Sequence, residues 1–245
     1  MKEQNISIII PVYNEEERIE PGLSDSIKCL ISKLSWSFEI IFVNDGSTDK
    51  TLSILNDVKT RFNELAIKII SYQKNQGKGF AVKTGVLEAS GRKIIVTDAD
   101  FSVSLEELPK FIDNLDRFDI VIGTKKHLLT DTVKHQKAPR RILGKGFTLL
   151  SNFILGLNYT DITCGFKGFK SDAAKFIFSK QLMKRWSYDA ETLFLAGKFN
   201  YRVCELPVKW RHIDGSKVSP FWDTLRSLKD LLAIVWNNHQ GKYRD

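Results

Sequence analysis

Apolar positions along the 245-residue chain follow two alternating rhythms. The runs ISIIIPV (6–12), FEIIFVN (38–44), AIKIISY (66–72), KIIVTDAD (93–100) and DIVIGT (119–124) are short and rich in β-branched residues. Such runs predict strands covered on both faces. Helical stretches separate them: about Glu15 to Leu34, a segment carrying Leu52, Leu55 and Val58 with Ser47 or Thr48 as its cap, a helix beginning near Gly79, and LEELPKFIDNL. Strand–helix alternation of this kind predicts an α/β protein whose central sheet is mostly parallel and flanked by helices. In such sheets ligands occupy the crevice beyond the carboxyl ends of the strands.

The rhythm changes at Lys125. KKHLLTDTVKHQKAPRRILGK carries seven Lys or Arg against one Asp and lacks strong periodicity before Ile142, which reads as a long, mobile, basic loop. A helical stretch to about Leu157, the segment DITCGFKGFK, an Ala-rich helix and a short strand at RVCELPVKW follow. The last segment, PFWDTLRSLKDLLAIVWNNH, predicts a helix whose broad apolar face is flanked by Arg226, Lys229 and two tryptophans. That pattern suits either a core helix or one lying in a membrane interface. No run approaches the roughly 18 apolar residues of a membrane span.

Composition narrows this little: 42% hydrophobic and 27% charged residues describe an ordinary globular chain. The formal net charge of +8 is more informative, because it favours an anionic partner such as nucleic acid, anionic lipid or a phosphorylated small molecule. Three dispersed cysteines, Cys29, Cys164 and Cys204, imply neither a disulfide framework nor a zinc site and fit a reducing cytoplasm. The amino-terminal residues contain no signal-peptide core.

Chemistry concentrates at the predicted strand ends. Asp98 and Asp100 are two residues apart, so on a strand they would project to the same side and repel. Either a cation sits between them or the loop splays them into water. Two carboxylates together with substrate phosphates suit a hard divalent ion. Asp45, in VNDGSTDKT, can accept hydrogen bonds from a ribose hydroxyl or a base N–H, or can form an Asx-turn with Gly46. NQGKGFAVKTG is not a dinucleotide fingerprint, because Val82 stands where G-x-G-x-x-G needs glycine. Its glycines are expected to let backbone approach a ligand at a helix N-terminus, with Lys78 near a phosphate. The basic segment around Arg140 and Arg141 lacks the aromatic interleaving of a nucleic-acid surface.

In order, IIIPVYNEEERI, VNDGSTDKT, NQGKGFAVKTG and VTDADFS resemble the successive motifs of inverting family 2 glycosyltransferases of the GT-A type. GTKKHL, RRILGKGF, DITCGFKGFKSDAA, RWSYDAETLFLA and ELPVKWRHIDGSKVSPF extend the resemblance, over residues 5–240, to the dolichyl-phosphate β-glucosyltransferases. The resemblance implies one GT-A domain over residues 1–245. Residues 1–124 would be its Rossmann-like, nucleotide-sugar-binding half, and residues 125–245 its acceptor- and membrane-facing half.

It also implies roles. Pro11, Tyr13, Glu15, Asp45, Lys78, Asp98, Ala99 and Asp100 would bind the nucleotide sugar. Asp98 and Asp100 would hold Mg²⁺ or Mn²⁺, and Arg140, Arg141 and Lys217 would meet the acceptor phosphate. Asp98, Asp100 and Asp189 are the candidate catalytic residues. Asp189 and Glu191 stand where relatives that use hydroxyl acceptors place their base, and here they are expected to shape the acceptor site instead. The implied reaction moves glucose from UDP-glucose to a polyprenyl or dolichyl phosphate. It would be carried out peripherally at the cytoplasmic membrane face, without nucleic acid. The eukaryotic glucosyl enzymes carry an amino-terminal anchor, and many relatives add carboxyl-terminal spans. With the first strand starting at Ile6, either an anchor has been trimmed away or the enzyme is peripheral, using its basic loop and amphipathic helices. GDP-mannose as donor, a hydroxyl acceptor and a nucleic-acid-binding module are the rival readings.

Overall fold

A computed structural model describes residues 5–19, 23–24, 27, 36–125, 132–134, 138–211, 213 and 220–244, with side chains of 132–134, 138–143 and 220–225 left aside. Strands β1 (Ile6–Val12), β2 (Phe38–Asp45) and β3 (Ala66–Tyr72) coincide closely with the apolar runs. Helix α1 (Thr51–Arg61) connects β2 to β3, and α2 (Lys78–Leu87) connects β3 to β4 (Lys93–Val96). After α3 (Leu108–Asn114) come β5 (Ile120–Thr124), β6 (Thr132–Lys134) and α4 (Ala138–Leu155). The chain continues through β7 (Lys167–Lys170), α5 (Ser171–Lys180), α6 (Tyr188–Lys198), β8 (Val203–Pro207), β9 (Trp210–Arg211) and α7 (Pro220–His239).

Seven strands form one sheet in the order β3-β2-β1-β4-β7-β5-β8, and β6 pairs with β9 in a small second sheet. Only β7 runs antiparallel to its neighbours, β4 and β5. Alternate residues of β1 and β2 enter two separate cores. Ile8, Ile10, Ile40 and Phe42 pack with Leu55, Val58, Leu108 and Phe111. Ile9, Ile41 and Val43 pack with Val82, Val86 and Leu193 on the other face. Burial on both faces is why these strands read as unbroken apolar runs.

Three expectations are corrected. KIIVTDAD is a strand only to Val96; the chain then turns, with Phe101 donating to the Asp98 carbonyl at 3.1 Å, so Asp98 and Asp100 lie beyond the strand and project apart. Neither Ser47 nor Thr48 caps α1. The Ser47 hydroxyl accepts from the Asn14 amide and the Thr48 amide donates to the Asn14 side chain, which joins the end of β1 to the turn after β2. Asp49 takes over the start of α1, accepting from the Thr51 amide at 3.0 Å. The basic stretch is not one open loop: residues 132–134 pair with Trp210 and Arg211, and α4 begins at Ala138, so Arg140 and Arg141 lie in its first turn. Residues 126–131 and 135–137, and most of the predicted Glu15–Leu34 helix, fall outside the described residues.

Helix α2 positions Lys78, and it packs unusually close to the sheet. A Cβ on Gly85 would come within 2.4 Å of the Ile9 side chain and 3.0 Å of Val43. Gly85→Ala should therefore cost about 1–3 kcal/mol of stability, read as a lower midpoint in denaturant unfolding.

Candidate active site

The carboxyl ends of β1, β2, β4 and β5 converge on one edge of the sheet. Asp45 ends β2, is only 2% exposed, and is already engaged. Its Oδ1 accepts from the Gln76 amide at 2.7 Å, and its Oδ2 accepts from the Gly77 amide and the Asn75 side chain, each at 2.8 Å. Burial pushes its carboxyl above the usual range, and the Gln76 and Gly77 amides oppose that rise. Asp45 thus shapes the 75–77 turn rather than presenting a free carboxylate.

The glycines of NQGKG serve a different neighbour from the one expected. A Cβ on Gly77 would meet the Lys184 carbonyl at 2.5 Å, and one on Gly79 would meet the Met183 carbonyl at 2.6 Å. The Phe80 amide donates to the Lys184 carbonyl at 3.0 Å. The start of α2 is therefore packed against residues 183–188 of the same chain, and those contacts replace the ligand approach read from sequence. Gly77, at φ +105°, accepts a backbone conformation that side chains disfavour.

The paired carboxylates find their compensation inside the protein. Lys78 Nζ donates to Asp98 Oδ1 at 2.5 Å and lies 5.4 Å from the centre of the Trp186 ring and 5.9 Å from that of Tyr188. Burial alone would lower the Lys78 pKa, but the Asp98 carboxylate, with Tyr188 and Asp189, holds it well above the ordinary lysine value. Burial likewise opposes the charged form of Asp98, yet Lys78, Lys125 and Lys167 keep its carboxyl below the usual range. Asp100 faces elsewhere. Its Oδ1 accepts from the Ser102 amide at 3.0 Å, and its Oδ2 lies 3.9 Å from Arg18, which makes a two-point pair with Glu15 at 2.6 and 2.8 Å.

A second ion pair closes the far wall. Lys167 Nζ, fully buried on β7, donates to Asp189 Oδ1 at 2.5 Å and to the carbonyls of Cys164 and Ile162. Lys125, just past β5, reaches the Thr163 carbonyl at 3.3 Å and Asp161 at 3.8 Å. Burial lowers its pKa, but Asp161, Cys164 and Asp98 raise it more, leaving it above the ordinary value. Gly165 backs the arrangement: a Cβ there would stand 2.2 Å from Asp98 Oδ2.

Of the sequence-derived residues, Glu15, Lys78, Asp98, Asp100 and Asp189 belong to this connected set. Tyr13 is partly exposed at the rim, whereas Pro11 and Ala99 are buried, Ala99 within the apolar core. Glu191 is spent elsewhere, accepting from the Leu182 and Met183 amides and from the Tyr243 hydroxyl at 2.6 Å. Lys217 and the side chains of Arg140 and Arg141 lie outside the described residues. Sequence reading missed Arg18, Lys125, Lys167, Gly165 and Trp186. Only Lys167 had a signal, a lysine inside the apolar stretch GFKGF. Among the described residues no group of three or more His, Cys, Asp or Glu could by itself hold a metal.

Residues 7–178 match the glycosyl transferase family 2 pattern. The chain belongs to that family. Dolichyl-phosphate β-glucosyltransferases are 34% identical in Dictyostelium discoideum, over 94% of this chain and 73% of theirs, and 31% identical in Homo sapiens, over 98% and 78%. The Saccharomyces cerevisiae enzyme of that name is 34% identical over 98% of this chain and 77% of its own. Among solved structures, glucosyl-3-phosphoglycerate synthase from Mycobacterium tuberculosis, in complex with Mn²⁺ and UDP-glucose, superposes with a TM-score of 0.66 at 16% identity, covering 94% of this chain and 78% of its own. Staphylococcus aureus TarS 1–349 with UDP-GlcNAc gives 0.60 at 21%, covering 96% and 67%. These two establish the GT-A fold, and the family membership makes the chain a glycosyltransferase.

Gly165→Ala would drive a methyl group into Asp98. Sugar transfer should fall about 10²-fold, as when a catalytic group is misplaced by about an ångström. Thermal unfolding and steady-state kinetics on the same preparation separate this from general destabilisation.

Proposed function

We propose that this enzyme transfers glucose from UDP-glucose to a polyprenyl phosphate, with inversion at the sugar C1, at the cytoplasmic surface of a membrane. The reading is supported by the Lys78–Asp98 ion pair just beyond the carboxyl end of β4, in a chain whose relatives named dolichyl-phosphate β-glucosyltransferase align over nearly its whole length. Residues up to about 124 would bind the donor, and the remainder would bind the acceptor.

Asp98 and Asp100 fit Mg²⁺ or Mn²⁺, because two carboxylates leave coordination positions that donor phosphates and water can fill. When bound, that ion would neutralise charge on the departing diphosphate. The rest is chemistry of the chain itself. The acceptor phosphate is already anionic near neutral pH, so its oxygen can attack C1 without surrendering a proton to a base. The C1–O bond to the acceptor forms as the C1–O bond to UDP breaks, and the bonding electrons leave with UDP. Lys78 would stabilise that charge electrostatically. Asp189, paired with Lys167, would orient the acceptor side of the crevice rather than take up a proton. Asp45 would act on the nucleotide through the 75–77 turn. Arg140 and Arg141, in the first turn of α4, would meet the acceptor phosphate where the helix dipole also favours an anion, with Lys217 as a further contact.

The membrane partner is supported by an exposed apolar surface shared by α4 and α7. Phe153 is 86% exposed and Leu149 71%, and Trp236 and Leu232 are exposed on α7, which packs beside α4. Lys145, Arg226 and Lys229 are also exposed on these two helices. Apolar side chains with cations among them suit an anionic bilayer surface. Among the described residues no helix is long and apolar enough to cross a membrane.

Purified protein with labelled UDP-glucose, polyprenyl phosphate in detergent and Mg²⁺ or Mn²⁺ should yield a glucolipid that mild acid cleaves. EDTA or Asp100→Ala should abolish it, and GDP-mannose should not substitute. An acid-stable glycoside formed on a sugar hydroxyl instead would overturn the acceptor assignment. Phe153→Glu with Trp236→Glu should reduce co-sedimentation with anionic liposomes about tenfold while UDP-glucose hydrolysis persists.

A further inference from the structure

Both carboxylates of the Asp98–Asp100 pair are engaged by the chain's own groups. Asp98 Oδ1 is held by Lys78 at 2.5 Å. Its Oδ2 lies beside Gly165, where a Cβ would stand 2.2 Å from it, so residue 165 leaves room for the carboxylate only as glycine. Asp100 is tied to the Ser102 amide and faces Arg18. A divalent ion bonded to Asp98 would share that carboxylate with the Lys78 ammonium, and the two positive charges would repel. Among the described residues no group of three or more His, Cys, Asp or Glu could hold the ion by itself, so the donor's phosphates would have to supply further ligands.

The backbone around Lys78 is fixed. The Gln76 and Gly77 amides are bound to Asp45, and the Phe80 amide is bound to the Lys184 carbonyl. Mobility is therefore confined to the four-carbon stem, whose ammonium is a compact charge on rotatable bonds. Trp186 and Tyr188 line its path with ring faces, which attract a cation without binding it as tightly as a carboxylate does.

We infer that Lys78 is an exchange residue, paired with Asp98 in the free protein and passed to the donor's diphosphate on binding. This exchange frees Asp98 for the divalent ion, so that cation and nucleotide bind with strong positive coupling. The inference rests on the donor-site reading above and adds to it a residue that sets the dependence between the two ligands. The same exchange runs backwards after transfer: as UDP departs, Lys78 returns to Asp98 and displaces the ion. The cation alone binds weakly, and coupling is reciprocal, so the cation must strengthen nucleotide binding by the same factor.

Mn²⁺ binding to the full chain, followed by electron paramagnetic resonance of the free ion with and without UDP, tests this. In the wild-type protein UDP should tighten Mn²⁺ binding at least about 30-fold, within the usual range of coupling between sites. Lys78→Met should bind Mn²⁺ alone about tenfold more tightly than wild type, with the effect of UDP reduced to less than about fivefold. Lys78→Gln, which keeps a hydrogen bond to Asp98 without the charge, should behave in the same direction, and Lys78→Arg should stay as weak as wild type. Folded Lys78→Met or Lys78→Gln protein that binds Mn²⁺ alone no better than wild type would overturn the inference, provided Asp98→Asn still abolishes Mn²⁺–UDP binding. If Asp98→Asn binds Mn²⁺ and UDP like wild type, the metal site itself is wrong and the exchange falls with it. A measurement on unmodified protein guards against variants that do not fold. The ¹⁵N resonance of the Lys78 ammonium should shift when UDP and Mg²⁺ are added together, and an unchanged resonance at saturation also refutes the exchange.

Discussion

The carboxyl edge of the sheet holds carboxylates and ammonium groups at close quarters, and their mutual compensation is the constraint on which the surrounding structure depends. Asp98, Asp161 and Asp189 are countered by Lys78, Lys125 and Lys167. A buried charge without a partner is strongly unfavourable, so each element carrying one of these groups has to be held in register with another. Lys78 fixes the start of α2 to the turn after β4, and Lys167 fixes β7 to the start of α6. Asp161 fixes the 161–163 turn to the end of β5 through the Lys125 amide at 3.1 Å. The antiparallel strand β7 sits between β4 and β5, and so brings the second half of the chain against carboxylates supplied by the first.

Close backbone packing makes that compensation possible. Gly77 and Gly79 admit the 183–185 backbone against the start of α2, and Gly165 admits the Asp98 carboxylate. Gln181 adds two further ties, donating to the Gly79 and Met183 carbonyls at 3.0 and 2.7 Å. Glu191 extends the same assembly to the carboxyl-terminal segment through Tyr243. Burial raises the Glu191 carboxyl above its usual range, while Tyr243 and the Leu182 and Met183 amides resist the shift. The 181–188 segment is thus held from two sides, and it presents Trp186 and Tyr188 to Lys78. Functional side chains here rest on rigid backbone, and the freedom that remains belongs to side-chain ends.

Much of this was legible in the chain. β1 and β3 match the apolar runs at both ends, and α7 matches the predicted carboxyl-terminal helix. The pattern of α7 allowed a core helix or a surface one, and the fold makes it both: Leu231 and Ile234 are buried while Leu232 and Trp236 are exposed. The readings that failed were local inferences about contacts. Ser47 and Thr48 looked like helix caps because their side chains suit caps, but Asn14, more than thirty residues earlier, engages both. The NQGKG glycines looked like a ligand cradle, and their close neighbours are the chain's own carbonyls.

Sequence by itself determined the class of fold, the order of β1 to β5 with the helices between β2 and β5, and the strand ends where chemistry gathers. Those follow from residue periodicity and turn chemistry, which act over a few residues. Tertiary structure alone decided which charge answers which. Lys78 and Asp98 are 20 residues apart, Lys167 and Asp189 are 22 apart, and Glu191 and Tyr243 are 52 apart. Pairings at that range depend on strand order and on which backbones can approach, and a run of residues carries no record of either. The sequence therefore posed the repulsion between Asp98 and Asp100, and the fold answered it by turning the two apart and giving each a cation of its own.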